Sequence, residues 1–234
     1  MPDRKLDVRV YPIDKPKGDT KALASVSIDG VVAIRGIRVV ESRKGLLVSM
    51  PQSQDRNKKF HDIAFPLSRD LRKQINRAVR GEYKEQINLP PDQRGYTASD
   101  IEAAKNVEMG EVKLNIQVYP LQDPDGSTKA FASIAIGDLA AIRGLRVVDG
   151  EKGLFVTMPQ SEDRQGLFRD VAFPLSGDLR KEINKGVLEK FEVAKSVDHG
   201  QSLGDRLAAG KERAAEHIAP QQSAAKTQHP GVLE

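Results

Sequence analysis

Apolar and polar residues alternate along Leu6, Asp7, Val8, Arg9, Val10 and Tyr11, the period-two signature of a strand with one buried face. The turn-forming stretch PIDKPKGD follows. A second strand is predicted over Lys21 to Ile28, with Leu23 and Ala24 at its centre. Asp29-Gly30 is a two-residue hairpin signal. A long β-branched third strand then runs from Val31 to Val40, and Arg35-Gly36 marks a bend or bulge within it. On a regular strand Arg35 and Arg38 would face opposite sides; a bulge at the glycine would change that. Arg43-Lys44-Gly45 turns the chain into a fourth strand, Leu46 to Met50. A polar, charged loop over 51–61 leads to a short fifth strand, His61 to Phe65, ended by Pro66.

The period then changes from two to nearly four. Leu71, Ile75, Val79 and Tyr83 form the apolar face of a helix, and Ser68 stands where an N-cap oxygen accepts a free backbone N–H. The opposite face carries Arg69, Arg72, Lys73, Arg77, Arg80 and Lys84.

All of this occurs twice. Residues 50–76 read MPQSQDRNKKFHDIAFPLSRDLRKQIN and residues 158–184 read MPQSEDRQGLFRDVAFPLSGDLRKEIN, a constant offset of 108. Leu114, Ile116 and Val118 repeat the first strand, and the turn returns as PLQDPDGS. Gly137-Asp138 inverts the first hairpin pair, and Arg143 and Arg146 repeat the third-strand arginines. Leu179, Ile183, Val187 and Phe191 repeat the helix face. The unit is about 80 residues, longer than a solenoid repeat. The expected organisation is a first copy over 4–86, a linker over 87–111, a second copy over 112–194 and a tail over 195–234. Leu89-Pro90-Pro91 stops the first helix. Ser99 to Val107 is a candidate short linker helix, and Ser202 to Ile218 a weak tail helix; 219–234 reads as disordered. A domain of this size buries only about 60–65% of its unfolded surface, so each copy wants a partner surface.

Composition narrows the chemistry. The chain has no cysteine, which removes disulfides and thiolate zinc sites. No apolar run approaches a membrane span and no leader precedes the first strand, so the expected location is the cytoplasm. Net charge is +4, but unevenly placed. Residues 1–91 hold 19 Lys and Arg against 11 Asp and Glu, whereas 112–196 hold 12 against 12. That asymmetry points to an anionic partner for the first copy.

No catalytic constellation emerges. His61 is replaced by Arg169 in the second copy, and His199, His217 and His229 lie in the tail. Ser68 and Asp70 are explained by helix capping and dipole. Asp62 is expected to pair with Arg35 or Arg38. Asp123 and Asp125 faintly suggest a calcium loop but lack its later acidic ligands. The expectation is a non-enzymatic protein without cofactor or metal.

The run Gly45-Leu46-Leu47-Val48-Ser49-Met50-Pro51, then Phe60-His61-Asp62-Ile63-Ala64-Phe65-Pro66, with the earlier Ile34 to Val40, resembles the septation protein SpoVG family. Gly153 to Pro159 and Phe168 to Pro174 repeat the pattern. The resemblance covers most of each copy and neither linker nor tail. It implies an α+β fold of two tandem domains, each an antiparallel β-meander followed by a C-terminal helix, paired as an internal pseudo-dimer. Further homodimerisation stays open. It also implies a bacterial regulator that binds DNA or RNA, linked to septation or sporulation. The family often carries a basic pair soon after Met-Pro, where this chain has Ser53 and Gln54, and Ser161 and Glu162. The expected phosphate contacts are therefore Arg56, Lys58, Lys59, Arg69, Arg72, Lys73, Arg77 and Arg80. Weaker second-copy candidates are Arg164, Arg169, Arg180, Lys181 and Lys185. With no Trp and few Phe and Tyr, an aromatic platform for single strands finds little support in the composition. The competing expectation is a protein-interaction scaffold in cell division or a mobile element, with incidental cations.

Overall fold

A computed structural model describes residues 3–55, 57–91, 94, 112–122, 126–162 and 166–200, with the backbone alone for 197–200. Arg56, Arg164, Asp123, Asp125, the two candidate helices at 99–107 and 202–218, and the 219–234 segment lie outside the described residues.

Each copy begins as the expected meander. In the first, β1 (Leu6–Pro12), β2 (Thr20–Ile28), β3 (Val32–Ser42) and β4 (Gly45–Ser49) pair antiparallel in sequence order. The second repeats it with β8 (Leu114–Pro120), β9 (Thr128–Ile136), β10 (Ala140–Gly150) and β11 (Gly153–Thr157). Asp29 and Gly30 both take positive φ at the β2–β3 turn, as its right-handed strand twist requires; in the second copy Gly137 supplies the positive φ. The bulge is present in both copies, with Gly36 at φ 72 and Gly144 at φ 79. It has the consequence foreseen for the arginines. Arg143 opposes Ser133 and Arg146 opposes Phe131, two residues apart on β9, so both arginines share the sheet face away from the core.

The 51–61 segment differs from the expected loop. Gln52–Gln54 (β5) and Phe60–Asp62 (β6) form a small separate hairpin, repeated as β12 (Gln160–Glu162) and β13 (Phe168–Asp170). The expected fifth strand is thereby split, and its second part serves the other copy. β7 (Ala64–Pro66) pairs with Ala140–Ile142 of β10, and β14 (Ala172–Pro174) pairs with Val32–Ile34 of β3. The reason lies in strand lengths. β3 has eleven residues and β4 only five, so β4 leaves the start of that edge uncovered. An open edge invites pairing, and the other copy's short strand fills it. Flanking bonds extend the seam: Arg35 N donates to Val171 O at 2.7 Å and Arg143 N to Ile63 O at 2.7 Å. The guanidinium of Arg35 lies 4.6 Å from the Phe173 ring centre, and that of Arg143 lies 4.9 Å from Phe65, each across the seam. Arg4 adds an unrepeated tie, binding Asp29 of its own hairpin turn and Asp138 of the other.

α1 (Arg69–Asn88) and α2 (Gly177–Gly200) follow the exchanged strands. Ser68 Oγ accepts from Leu71 N at 3.1 Å and Ser176 Oγ from Leu179 N at 3.0 Å, the expected caps. Leu71, Ile75 and Val79, with Leu179, Ile183, Val187 and Phe191, are buried, and Tyr83 is half-buried. α1 ends before Leu89-Pro90-Pro91, and Arg94 closes it by donating to the carbonyls of Leu89 and Ile87. α2 runs to Gly200, past the expected end of the second copy. The copies fill the helix–sheet contact differently. A Cβ on Gly186 would meet Ile116 Cδ1 at 2.6 Å; the corresponding first-copy pair is Ala78 and Val8. One cluster of buried residues runs through both sheets and both helices.

Candidate nucleic-acid interface

On α1 the sequence brings Lys73, Arg77, Arg80 and Lys84 onto one stripe by 4-3-4 spacing. These four, with Asn76 and Gly81, line an open groove of about 460 Å³. Arg77, Arg80 and Lys84 form no ion pair within 4 Å among the described residues. Lys73 lies 3.7 Å from Asp70, with both side chains mostly in water. Arg69 is also exposed, one turn earlier. Like charges crowded on one face are unfavourable for the free protein, and an anion relieves them. Lys84 stands outside the expected binding set, although continuing the same spacing by one turn would have included it.

Arg72 lies off this stripe and has a carboxylate neighbour. It is half-buried and its Nη1 lies 3.9 Å from Asp62 Oδ2. Asp62 also accepts from Gln52 Nε2 at 2.8 Å, and Gln52 Oε1 accepts from Arg38 Nη2 at 3.2 Å. The expected Asp62 partner was Arg35 or Arg38. The fold instead gives it Arg72, reaches Arg38 only through Gln52, and lays Arg35 on Phe173. The second copy repeats the device, with Gln160 donating to Asp170 at 3.0 Å and Arg180 Nη2 at 3.0 Å from the same carboxylate. Arg72 and Arg180 thus fasten the small hairpins to the helices.

Lys58 and Lys59 sit exposed at the tip of the β5–β6 hairpin. Asp55 organises this tip. Its Oδ1 accepts from Asn57 N at 2.8 Å and Lys59 N at 2.9 Å, and its Oδ2 lies 2.8 Å from His61 Nε2. Those bonds, the Lys59 amide foremost and then His61, hold the Asp55 carboxyl below its usual pKa. Lys58 adopts φ 61, a conformation that favours glycine; the second copy has Gly166 there, at φ 79. A lysine is kept at a position where its backbone is disfavoured.

The second copy does not reproduce the cationic stripe. Lys181 lies 3.1 Å from Asp178, Lys185 lies 3.9 Å from Glu189, and Arg180 is held by Asp170. Leu188 replaces Arg80 and Glu192 replaces Lys84. Arg169 is exposed on β13, opposite Ser161.

Comparison with known proteins agrees with the repeated architecture. The model of the SpoVG family matches twice, over residues 4–85 and 112–193, together more than half the chain. The chain belongs to the SpoVG family. Among SpoVG relatives, a protein of Archaeoglobus fulgidus is 44% identical over 80 residues, covering 34% of this chain and 93% of the relative. One of Macrococcus caseolyticus is 40% identical over 76 residues, 32% of this chain and 66% of the relative. One of Exiguobacterium sibiricum is 38% identical over 85 residues, 36% and 81%. All three carry the name "Putative septation protein SpoVG". Each alignment spans about the length of one SpoVG copy, and this chain holds two. No described helix is long and apolar enough to cross a membrane.

Proposed function

We propose that this chain is a cytoplasmic, non-enzymatic regulator that binds DNA or RNA through the phosphates, mainly with its first SpoVG copy. The observation that carries it is the α1 groove, where Arg77, Arg80 and Lys84 have no ion-pair partner among the described residues. The corresponding second-copy helix alternates its cations with carboxylates. Lys58 and Lys59 add charge from the hairpin, while Arg72 is engaged with Asp62. Binding would proceed by counterion release and weaken steeply with salt. The names of the relatives tie the role to septation.

The test is fluorescence anisotropy of the whole chain with mixed-sequence duplex DNA and with RNA across a salt series. A linear fall of log affinity with log salt is expected. Arg77→Glu with Arg80→Glu should flatten that slope by about two, close to 0.9 per phosphate contact. Absence of binding to either at low salt would overturn the proposal in favour of a protein-interaction scaffold.

A further inference from the structure

The core of each sheet is covered by its own helix, and the opposite face of the second sheet is open. Along that face the register sets Tyr119 against Phe131, and Phe131 against Arg146. One row away Phe155 opposes Val148. Arg143 joins them through the Gly144 bulge, stacked on Phe65 lent by the first copy. Tyr119, Phe131 and Phe155 are 56%, 43% and 45% exposed. Three aromatic rings and two guanidinium groups therefore share one exposed face. In the first copy the same places hold Tyr11, Leu23 and Leu47, so two of the rings are peculiar to the second sheet.

We infer that the open face of the second sheet is a binding platform for unpaired nucleotides, distinct from the helix groove. It rests on the reading of the chain as a nucleic-acid binder, and adds to it the class of ligand the second copy takes. Aromatic rings on a sheet receive bases face to face with little regard to sequence. Arginine supplies both a stacking plane and a phosphate contact. A duplex keeps its base faces stacked inside and offers this surface only phosphates, so the ligand that uses the rings is single-stranded. Neighbouring strands lie about 4.8 Å apart, so Tyr119 and Phe131 stand on the adjacent strands β8 and β9, and Phe155 stands on β11, two strands beyond Phe131, within the reach of successive bases.

The chain contains no tryptophan, so Phe131→Trp in the whole chain makes a single fluorescent probe at the platform. Its emission is titrated with mixed-sequence 12-nucleotide single-stranded DNA and RNA, and with duplex DNA. Quenching by the single strands and not by the duplex is expected. Phe131→Ala with Phe155→Ala should weaken single-strand binding about tenfold, with duplex binding unchanged within twofold. Tyr119→Phe, which keeps the ring, should leave both unchanged. Circular dichroism confirms folding of each variant. Unquenched indole emission from the Phe131→Trp protein, with unaltered single-strand affinity in the double alanine variant, would overturn the platform. If duplex binding is then still lost on Arg77→Glu with Arg80→Glu, the helix proposal survives alone. If single strands quench while that helix variant keeps full duplex affinity, the platform stands and the helix proposal falls. A homodimer that the double alanine variant dissolves, without oligonucleotide quenching, would make the face a contact between copies of this chain and also overturn the inference.

Discussion

The two SpoVG copies share their buried residues and differ on their surfaces. In the first, the exposed helix stripe is cationic and its arginines lack ion-pair partners among the described residues. In the second, the corresponding helix is interleaved with carboxylates, and the sheet behind it carries aromatic rings. The core positions scarcely moved: Leu71, Ile75 and Val79 became Leu179, Ile183 and Val187. The lesson is that the fold is specified by a buried set that tolerates little change. The same scaffold presents two chemistries because nothing in packing constrains its outer positions. Where packing did change it changed in pairs, as Ala78 with Val8 became Gly186 with Ile116.

The harshest way to break the comparison is to attack what the copies share. Ala64 and Ala172 are fully buried in the exchanged strands. Ala64→Asp or Ala172→Asp buries an unpaired charge and should cost roughly 4 kcal/mol or more. Calorimetry should show either substitution destabilising the whole chain in one transition. Separate melting of the two halves would refute the exchange as a structural necessity.

Charge reversal sharpens the difference itself. Arg77→Glu with Arg80→Glu should lower duplex affinity at least tenfold, about 1.4 kcal/mol. Lys181→Glu with Lys185→Glu on α2 should cost less than threefold. Equal losses by anisotropy would mean that both helices bind alike.

The packing pair can be converted from one copy's solution to the other's. Gly186→Ala gains helix propensity of about 1 kcal/mol but crowds Ile116. Ile116→Val makes the room. A double-mutant cycle by urea unfolding should give a favourable coupling of about 1 kcal/mol, and additivity would show that the two sites are independent.

Lys58→Gly should stabilise the protein by up to about 1 kcal/mol by removing the left-handed lysine, while weakening nucleic-acid binding. A lowered melting temperature would contradict this. The smallest effect belongs to Asp55. Its folded pKa is depressed, so its contribution to the hairpin is present above the ordinary aspartate value of 3.8 and fades as pH falls through the lowered one. Amide shifts of Asn57 and Lys59 followed by NMR should report that loss in acid. Asp55→Asn should abolish the response and leave β12 and β13 undisturbed.

Much of this was legible in the chain. Period two marked the meander, period near four the helices, and Gly36 the bulge. The helix cations were readable from spacing, because a helix brings residues three and four apart together. What escaped depends on contacts between distant segments. Gln52, Ser53 and Gln54 are all exposed, so β5 leaves no hydrophobic alternation to read. Ala-Phe-Pro is the same triplet in both copies, and nothing local says which β3-like edge it joins. Asp62 found Arg72 rather than a β3 arginine because the hairpin folds toward the helix. The sheet aromatics lie at 119, 131 and 155 in a chain with 5% aromatic residues. Only the register of β8 to β11 brings them together.

Each copy completes its sheet with three residues borrowed from the other. A proteolytic cut between the copies would therefore yield two fragments that stay associated, each holding an element of its companion. There is a consequence for heredity as well. In a pair of identical subunits every substitution appears on both sides of the axis. Here a change is written once, and in this structure its companion is the unlike copy on the same chain. Mispairing with its own kind is disfavoured by proximity alone, and so one half is free to specialise without dragging the other along.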